Sequence, residues 1–380
     1  MSTEHSKRAA KFTADVEKTT WHDATFWSVR QKRDKMAHEL PEWEDLRELA
    51  SEIKMHTITH LADYLDVFSK NLESRGVKVH WAKDAQEFNE IVLGILNDHH
   101  VKKMVKSKSM LTEECEMNPY LEKHGIDVVE TDLGERIIQL LGQKPSHIVM
   151  PAIHLKREEV GKMFEEKGIS KEIGNYDPTY LTRCARHHLR NQFMEAGAGM
   201  TGCNFGVAET GDCVVCTNEG NADMTTSMPK LHIVAMGIEK LVPDYKSLAV
   251  FQRLLCRCGT GQPTTAFTSH FRQARPGAEM HVVLVDNGRS DILADKDHWQ
   301  TLKCMRCGAC MNTCPVYRRS GGYSYTYFIP GPVGVNLGML KNPQKYADNV
   351  SACTLCLSCD NVCPSKVGPG SQIYVWRQSL

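Results

Sequence analysis

The chain lacks any apolar run long enough to cross a membrane. No stretch reaches the ~18 consecutive apolar residues that a spanning helix needs. Residues 1–17 are polar and charged, without the apolar segment of a signal peptide. Basic residues are not in excess, since Lys+Arg and Asp+Glu both number 46 and the formal net charge is +0. A nucleic-acid-binding protein would show a basic excess. These absences predict a cytoplasmic protein with no membrane span and no nucleic-acid partner.

Nucleotide-binding motifs are missing as well. No GxGxxG fingerprint follows the first predicted strand, and no GxxxxGK[ST] loop is present. Classical NAD or FAD binding is therefore not predicted. Because no flavin site is visible either, this chain is not expected to dehydrogenate a substrate on its own.

Cysteine, in contrast, is abundant, with 15 in the 380 residues. Eight of them form two copies of the run CxxCxxCxxxCP, which is typical of bacterial ferredoxins. In two-cluster ferredoxins the fourth cysteine of each run binds the other cluster. The sequence therefore predicts two [4Fe–4S] clusters. The predicted ligands are Cys304, Cys307, Cys310 and Cys363 for cluster I, and Cys353, Cys356, Cys359 and Cys314 for cluster II.

Zinc knuckles and disulfides are the alternative interpretations of these cysteines. Zinc needs four ligands and would leave the third spacing and the two prolines unexplained. Disulfides fit badly in a chain of this length without a secretory signal. Two clusters that exchange a ligand lie close together, and that favours electron relay over a single structural role.

Four of the remaining cysteines occur as two close pairs. Cys213 and Cys216 fall in an apolar run predicted to be a strand, where residues i and i+3 point to opposite faces. They are therefore predicted to be buried apolar side chains and not a redox pair. Cys256 and Cys258 are predicted to share one face of a strand.

The chain divides into three predicted segments. Residues 1–75 are rich in charge and helix formers, which predicts an N-terminal helical arm. Residues 76–295 alternate strands and helices, which predicts an α/β domain with a parallel sheet. Residues 296–380 hold both cysteine runs, separated by more residues than a minimal ferredoxin needs. This favours a helical two-[4Fe–4S] ferredoxin-like module over the compact βαβ form.

Individual elements are predicted from periodicity and turn signals. The predicted strands are residues 77–81, 101–105, 126–129, 147–150 and 281–285. A helix is predicted over residues 84–97, and a capping box at residues 132–135 opens another. Residues 331–334 are predicted to be a turn-rich loop, and residues 337–349 a helix.

Residues 197–232 are dense in glycine, threonine and asparagine. Glycine allows backbone N–H groups to approach a ligand, and the neutral side chains add donors. The composition is typical of a pocket for a small anion or carboxylate. Its counter-charge would come from Lys106, Lys108, Arg183 or Arg190. Tight turns between strands would give the same composition.

Several of these segments together resemble a known family. They are residues 106–110 and 112–114, residues 128–135, residues 204–205, 208–211 and 217–221, His232, residues 237–240 and 286–289, and both cysteine runs. With them the chain resembles the lactate-utilization iron–sulfur proteins of the LUD-domain family over nearly its whole length. The resemblance implies an α/β fold similar to the NagB, ribose-5-phosphate isomerase (RpiA) and CoA-transferase class.

The resemblance also implies a role and partners. The role is that of an iron–sulfur electron-transfer subunit in a multi-subunit system that oxidises L-lactate to pyruvate. The implied partners are a cysteine-rich subunit similar to the glycolate oxidase iron–sulfur subunit and a second LUD-domain protein. Two linked one-electron clusters suit a 2-hydroxy acid, which gives up two electrons.

The candidate site residues come from the polar segments of the α/β domain. The substrate-binding candidates are Lys108, Ser109, Asn204, Thr210, Thr217, Asn218, Glu219 and Asn221. The catalytic residue is not identified, and the candidate bases are Glu209, His232, His154 and His147. Removing a hydroxyl proton needs a group whose pKa lies near neutral pH, and this is why histidines are included.

Two other functions remain open on the sequence. The first is a CoA-transferase-like enzyme that uses Glu209 or Glu219 and keeps its clusters for structure. The second is a redox-sensing scaffold that binds partners according to the state of its clusters. Whether the chain is an enzyme also stays open, because a subunit of an L-lactate-oxidising complex would not be active alone.

Overall fold

The structure is a computed structural model that describes residues 3–380. Helices come first along the chain and precede the first strand. They are α1 (Glu4–Thr13), α2 (Val16–His38), α3 (Trp43–Thr59) and α4 (Leu61–Glu73). Side chains cap two of them, since Thr3 and Asp15 accept hydrogen bonds from the first turns of α1 and α2.

Strands and helices then alternate as far as Ala294. The strands are β1 (Lys78–Ala82), β2 (Lys103–Lys106), β3 (Asp127–Glu130), β4 (Ala198–Gly202), β5 (Phe205–Val207), β6 (Asp212–Thr217), β7 (Leu231–Gly237), β8 (Leu241–Val242), β9 (Phe267–Phe271) and β10 (Glu279–Val285). The helices are α5 (Ala85–Asp98), α6 (Met110–Glu114), α7 (Met117–Lys123), α8 (Leu133–Leu140), α9 (Arg157–Glu166), α10 (Pro178–Glu195), α11 (Asn221–Ser227), α12 (Tyr245–Gly259) and α13 (Arg289–Ala294). A short 3-10 helix, Ile238–Lys240, follows β7.

The C-terminal segment, residues 296–380, contains helices joined by loops and no strand. Its helices are α14 (Ala309–Thr313), α15 (Pro315–Ser320), α16 (Gly331–Lys341), α17 (Pro343–Tyr346), α18 (Asp348–Ser351), α19 (Ser358–Val362) and α20 (Pro369–Ser379). The 3-10 helices Trp299–Lys303 and Gly322–Ser324 precede α14 and follow α15. A helical cluster module is therefore what the structure shows.

Six strands form the central sheet in the order β1-β10-β7-β4-β2-β3, with every neighbouring pair parallel. The four-stranded second sheet has the order β8-β5-β6-β9. Since parallel strands all end on the same side, the carboxyl edge of the central sheet gathers the loops that follow β2, β4, β7 and β10. Ligands bind at this edge in many open α/β sheets.

Alternating side chains of β7 fill the hydrophobic cores on both faces of the central sheet. Ile233 and Ala235 pack with α5 on one face, while Val234 and Met236 pack with α4 on the other. A strand buried on both faces reads as a continuous apolar run, as expected of a parallel sheet covered by helices.

Most predicted elements are present, with bounds that differ by one or two residues. The prediction for residues 77–81 corresponds to β1, and the predicted helix at residues 84–97 corresponds to α5, which Asp84 caps. Asp132 caps α8 by accepting a hydrogen bond from the Glu135 N–H. The α/β class with parallel pairing is therefore confirmed.

The strand predicted at residues 147–150 is wrong, because this segment is a bend. The His147 Nδ1 accepts hydrogen bonds from the N–H groups of Val149 and Met150, both at 3.0 Å. Those N–H groups are the ones a strand would offer to a neighbour. The His147 side chain thus satisfies the two N–H groups that the apolar pattern had assigned to pairing in a sheet.

The loop predicted at residues 331–334 is also wrong, since these residues begin α16. Gly334 allows the backbone of α16 to pack closely against the preceding segment. A Cβ at Gly334 would lie 1.7 Å from the carbonyl oxygen of Ile329. From the sequence alone, a glycine needed for close packing of a buried helix cannot be distinguished from a glycine that forms a turn.

Cys256 and Cys258 do not share a strand face, because both lie in α12. Leu254 and Cys258 are fully buried at helical spacing. Two cysteines separated by one arginine match the period of a strand over three residues only. Over the whole of α12 the apolar residues follow the helical period, and the segment is a helix. Cys213 and Cys216 do lie on β6, where Cys213 packs in the core and Cys216 lines a cavity.

The N-terminal helices pack on both other parts of the chain. Helix α2 contacts α12, α14 and α15, and α3 contacts α12 and β8. The ammonium of Lys54 on α3 donates to the carbonyl oxygens of Glu239 and Leu241. Burial lowers the pKa of Lys54 to about 7. Within residues 3–380, no helix is long and apolar enough to span a bilayer.

We expect Gly199→Ala to destabilise the central sheet. Gly199 lies on β4 against α11, and its added Cβ would stand 1.8 Å from the carbonyl oxygen of Thr225. Backbone must move to relieve such an overlap, at a cost of about 1–3 kcal/mol. Thermal unfolding under anaerobic conditions should show a lower midpoint for this variant.

The matched control is Gly94→Ala, on the exposed face of α5, where nothing lies within 4 Å of the new Cβ. Because alanine is the better helix former, this variant should gain about 0.5–1 kcal/mol. Equal unfolding midpoints for the two variants would contradict the close packing of β4 on α11.

Candidate functional site

The first group of cysteines surrounds one small cavity. Cys304, Cys307 and Cys310 of the first run line it together with Cys363 of the second run. The N–H of Arg306 donates to the Cys304 Sγ at 3.4 Å, and the N–H of Val367 donates to the Cys363 Sγ at 3.3 Å. Cys363, which the other run contributes, is the fourth ligand that the ferredoxin spacing predicts for this cluster.

In the second group, Cys314 is the thiol that the other run contributes. Burial raises the pKa of Cys314 to about 11, and the thiols of Cys353 and Cys356 act in the same direction. Burial also raises the pKa of Cys359, and Asp360, Cys310 and Cys314 act in the same direction. Cys314 therefore lies within electrostatic range of all three cysteines of the second run.

The two runs share a backbone pattern as well as a spacing. Arg306 and Gly308 have φ angles of 62° and 79°, and the equivalent Leu355 and Leu357 have 54° and 58°. Left-handed leucines are uncommon, so two at matching positions indicate a loop shape imposed by its surroundings. The Oγ atoms of Thr313 and Ser358, 2.6 Å apart, join α14 to α19 across the repeat.

These groups fit [4Fe–4S] clusters on the chemistry of their donors. Burial raises the pKa of Cys363 to about 12, so the protein alone does not favour its thiolate. Iron needs the thiolate and supplies the positive charge that makes burial of that thiolate favourable. The structure brings the predicted sets together, and the assignment of each ligand stays a prediction.

The N-terminal arm holds the second cysteine run from outside. The Nε and Nη2 of Arg47 donate to the carbonyl oxygen of Cys363 at 3.1 and 2.9 Å. The Nη2 of Arg33 donates to the carbonyl oxygen of Val362 at 3.4 Å. Charged donors aimed at carbonyls beside a cluster ligand fix the loop and add positive charge near the site.

A larger cavity of about 390 Å³ lies at the carboxyl edge of the central sheet. The loops after β2, β4, β6 and β7 form most of its wall. Residues 305–307, from inside the first cysteine run, complete it. The cavity and the cluster I cysteines therefore share the segment that contains Cys307.

Most of the predicted substrate-binding residues line this cavity. They are Lys108, Ser109, Asn204, Thr217, Asn218, Glu219 and Asn221. Among these, Asn218 and Glu219 lie at the exposed rim, and Asn221 is buried. Thr210 is outside the lining. The glycine-, threonine- and asparagine-rich segment thus forms one wall of a cavity and is more than a set of turns.

The candidate bases Glu209, His232 and His154 lie outside the cavity. The Glu209 carboxylate is exposed and accepts a hydrogen bond from the N–H of Tyr245 at 2.9 Å. Burial lowers the pKa of His232 to about 3, and its Nε2 lies 2.9 Å from the Thr201 Oγ1. These placements lend no support to a transferase nucleophile at Glu209 or to a base at His232.

His154 and His147 have structural partners. Burial lowers the pKa of His154 to about 4, and its Nδ1 lies 2.7 Å from the Ser146 Oγ. Burial lowers the pKa of His147 to about 3, and its Nε2 lies 3.1 Å from the Oδ1 of Asn312 on α14. A neutral His147 therefore connects the α/β domain to the cluster module.

Three of the predicted counter-charges are not available to the cavity. Lys106 is buried in an ion pair with Glu130 at 2.7 Å and with Glu113 at 3.3 Å. Arg183 and Arg190 are exposed on α10 and do not line the cavity. Lys108 alone among the four predicted cations reaches it.

Six charged residues of the cavity wall were missing from the predicted site. They are Glu114, Asp132, Glu239, Lys240, Arg289 and Arg306. Arg289 is buried between Glu114 and Glu239, with an Nη1–Oε1 distance of 3.0 Å to Glu114. Burial acts to raise the pKa of Glu239, but Arg289, together with Lys240 and Arg306, lowers it to about 2.

A sequence signal existed for two of these residues. Lys240 and Arg289 each follow the end of a parallel strand, β7 and β10, at the edge where ligands bind. Arg306 stands between the first two cysteines of a run, where its proximity to the α/β domain was not visible.

Comparison with known proteins places the chain in a class. The family model described as "LUD domain" matches residues 65–290, and the family model described as "4Fe-4S dicluster domain" matches residues 300–367. The chain belongs to the LUD-domain family, as an α/β protein joined to a [4Fe–4S] dicluster domain. The predicted resemblance and the [4Fe–4S] cofactor are thereby confirmed, while the segment boundaries at residues 75 and 295 stay predictions.

Curated relatives carry one particular name. Lactate utilization protein B of Macrococcus caseolyticus (strain JCSC5402) is 42% identical over 348 residues, covering 89% of this chain and 72% of that protein. Lactate utilization protein B of Bacillus pumilus (strain SAFR-032) is 43% identical over 357 residues, covering 92% and 75%. These relatives support an iron–sulfur role in lactate utilization. A crystal structure of a DUF162 family protein from Deinococcus radiodurans covers 59% of this chain and 98% of that chain, at 14% identity and a TM-score of 0.33.

Serine variants of the cysteines should reveal the exchange of ligands between runs. We expect Cys363→Ser and Cys304→Ser to lose the same cluster, although they lie in different runs, because both thiols line one cavity. Iron content should fall from about eight to about four atoms per chain if one cubane is lost. Cys314→Ser and Cys353→Ser should lose the other cluster.

The measurement is the EPR spectrum of the dithionite-reduced variants, beside their iron content. Cys184→Ser, in a partly buried cysteine of α10, is the control and should keep both signals. If Cys363→Ser lost the same signal as Cys353→Ser, each run would bind its own cluster and the exchange would be disproved.

Glu135 should make the stability of the chain depend on pH. Burial raises the pKa of Glu135 from 4.5 to about 8, against the charge of Lys108, whose Nζ lies 3.6 Å away. The folded state therefore keeps a proton that the unfolded state releases between these values. Stability is lost as pH rises through this window, by roughly 1–3 kcal/mol.

Glu135→Gln removes this ionisation. The unfolding midpoint of the variant relative to wild type should increase between about pH 5 and about pH 8.5. Glu73→Gln, at an exposed position of α4, is the control and should follow wild type. A constant difference between Glu135→Gln and wild type across this range would show that Glu135 is ionised throughout.

Proposed function

We propose that this chain is the iron–sulfur electron-transfer subunit of a multi-subunit system that oxidises L-lactate to pyruvate. The observation that carries the proposal is the wall shared by the two parts of the molecule. Residues 305–307 of the first cysteine run close the cavity at the carboxyl edge of the sheet. A molecule in the α/β domain is thereby brought next to the cluster I ligands.

The chemistry of the reaction fits two linked centres. Oxidation of L-lactate to pyruvate breaks one C–H and one O–H bond and releases two electrons and two protons. Each [4Fe–4S] cluster, when bound, accepts and passes on one electron. The ligands proposed are Cys304, Cys307, Cys310 and Cys363 for cluster I, and Cys353, Cys356, Cys359 and Cys314 for cluster II.

The protein's own residues would position and insulate these centres. Arg47 and Arg33 fix the backbone of the second run through its carbonyl oxygens. His147, neutral and bonded to Asn312, keeps the cluster module against the sheet-edge loops. The buried ion group around Arg289 holds the far wall of the cavity in place.

The electrons would leave through a partner. The family resemblance supports a cysteine-rich subunit similar to the glycolate oxidase iron–sulfur subunit, and a second LUD-domain protein. The names of the curated relatives support lactate as the substrate of the system. The cavity binds either the substrate or the part of a partner that presents it.

The test is an EPR measurement on the chain purified anaerobically with its native partners. Addition of L-lactate should produce a reduced [4Fe–4S] signal, since the clusters lie on the electron path. D-lactate is the matched control. A Cys363→Ser chain in the same complex should lose the lactate-dependent signal of cluster I.

A spectrum that responds to dithionite but not to L-lactate would show intact clusters off the lactate path. That result would overturn the proposed relay, and a transferase or a redox sensor would become the better explanation of the fold.

A further inference from the structure

Three buried polar atoms on the wall of the large cavity have no hydrogen-bond partner within the described residues. They are the Nζ of Lys108, whose nearest acidic group is Glu135 at 3.6 Å, the Oγ1 of Thr217 and the Nη1 of Arg306. Nitrogen donors of this kind are almost always paired when buried. Residues from two different parts of the fold thus present unused donors to the same space.

In the part of the chain that the structure describes, two cations at the end of the cavity near cluster I also lack a directly bonded carboxylate. Arg289 is matched by Glu114 and Glu239. Neither Lys240 nor Arg306 has a carboxylate within 4.0 Å among residues 3–380. A carboxylate at this point would give both cations a direct partner.

The remainder of the wall restricts the kind of anion. Ile148, Leu255 and Met305 are apolar and lie among the polar residues of the lining. A small organic acid, with one charged end and a short apolar body, matches this mixed wall.

We propose that the cavity binds a small monocarboxylate with an oxygen on the adjacent carbon, such as L-lactate or pyruvate. Arg306 and Lys240 would bind the carboxylate, and Lys108 and Thr217 the second oxygen. The choice of acid rests on the proposed function, whereas the binding of a carboxylate rests on the cavity itself.

Arg306 gives this site a direct connection to cluster I. It lies between Cys304 and Cys307, and its own N–H donates to the Cys304 Sγ at 3.4 Å. A carboxylate on its guanidinium changes the charge and the hydrogen bonding beside cluster I and leaves cluster II unaffected. Arg306 is therefore a substrate-binding residue in contact with a cluster I ligand. Occupancy of the cavity should change the spectrum of cluster I.

The test is calorimetric titration of the full-length, cluster-loaded chain with pyruvate and with L-lactate under anaerobic conditions. Wild type should bind at least one of the two acids. Arg306→Gln and Lys240→Gln should each weaken binding by about tenfold or more, because each removes a charge-assisted contact. Arg306→Lys should retain part of the affinity.

Two further variants make the result interpretable. Arg190→Gln removes the same charge from an exposed site on α10 and should bind as wild type does. Lys108→Gln lies outside the cysteine runs, so its weaker binding would test the cavity even if Arg306→Gln failed to hold its clusters. Iron content and visible absorbance report on loading in every case.

The second readout is the EPR spectrum of the dithionite-reduced chain with and without pyruvate. Pyruvate should change the cluster I signal in wild type. At the same pyruvate concentration the signal of loaded Arg306→Lys or Lys108→Gln should stay unchanged, because this concentration does not saturate the weakened site. Absence of binding to wild type would overturn the proposal. Equal affinity in wild type and a loaded Arg306→Gln would show that this arginine only balances the cluster charge.

These outcomes are separate from the test of the relay. If the isolated chain bound pyruvate but L-lactate failed to reduce the clusters of the complex, only the proposed function would fail. If L-lactate reduced the clusters although the isolated chain bound neither acid, the substrate site would belong to another subunit and the cavity inference would fail.

Discussion

Burial of thiols in two compact groups is the constraint on which this structure depends. Burial raises the pKa of Cys314 and Cys363 far above that of a free thiol, so the thiolates need iron to be stable. The helices that carry the runs, α14 and α19, are short and cannot fix eight sulfur atoms by themselves. Support comes from distant residues, since Arg47 of the N-terminal arm donates to the carbonyl of Cys363. The arm is thus part of the cluster site.

The same constraint explains why the cavity lies where it does. The segment around Cys307 needs a left-handed turn at Arg306 and at Gly308, and this shape directs residues 305–307 toward the sheet edge. His147 joins the facing loop to α14 through Asn312. A site of the α/β domain and a cluster site therefore meet in one wall. Histidines that the sequence offered as bases are buried as neutral connectors, because a charged imidazole would be costly in these positions.

Prediction from the sequence succeeded where a pattern is local or repeated. The strands and helices of the α/β domain follow from periods of two and 3.6 residues, and Asp84 and Asp132 signalled the starts of α5 and α8. Residues 147–150 and 331–334 were mispredicted, because a ring nitrogen and a tight glycine contact decided their structure. Neither effect leaves a trace in composition or spacing. The cavity lining was partly predictable, since its polar segment was recognised while its charged residues lie far apart in the chain.

By itself the sequence determined the identity of the cofactor, the parallel α/β class and the helical nature of the cluster module. Each of these depends on spacing or periodicity within short segments, which the chain carries in any conformation. Tertiary structure alone decided that Lys108, Thr217, Lys240 and Arg306 face one cavity. It also decided that Lys106 is neutralised by Glu130 and that Glu209 lies outside. Charges separated by up to two hundred residues become neighbours only through the packing of the sheet edge on the first cysteine run, and no local pattern encodes that contact.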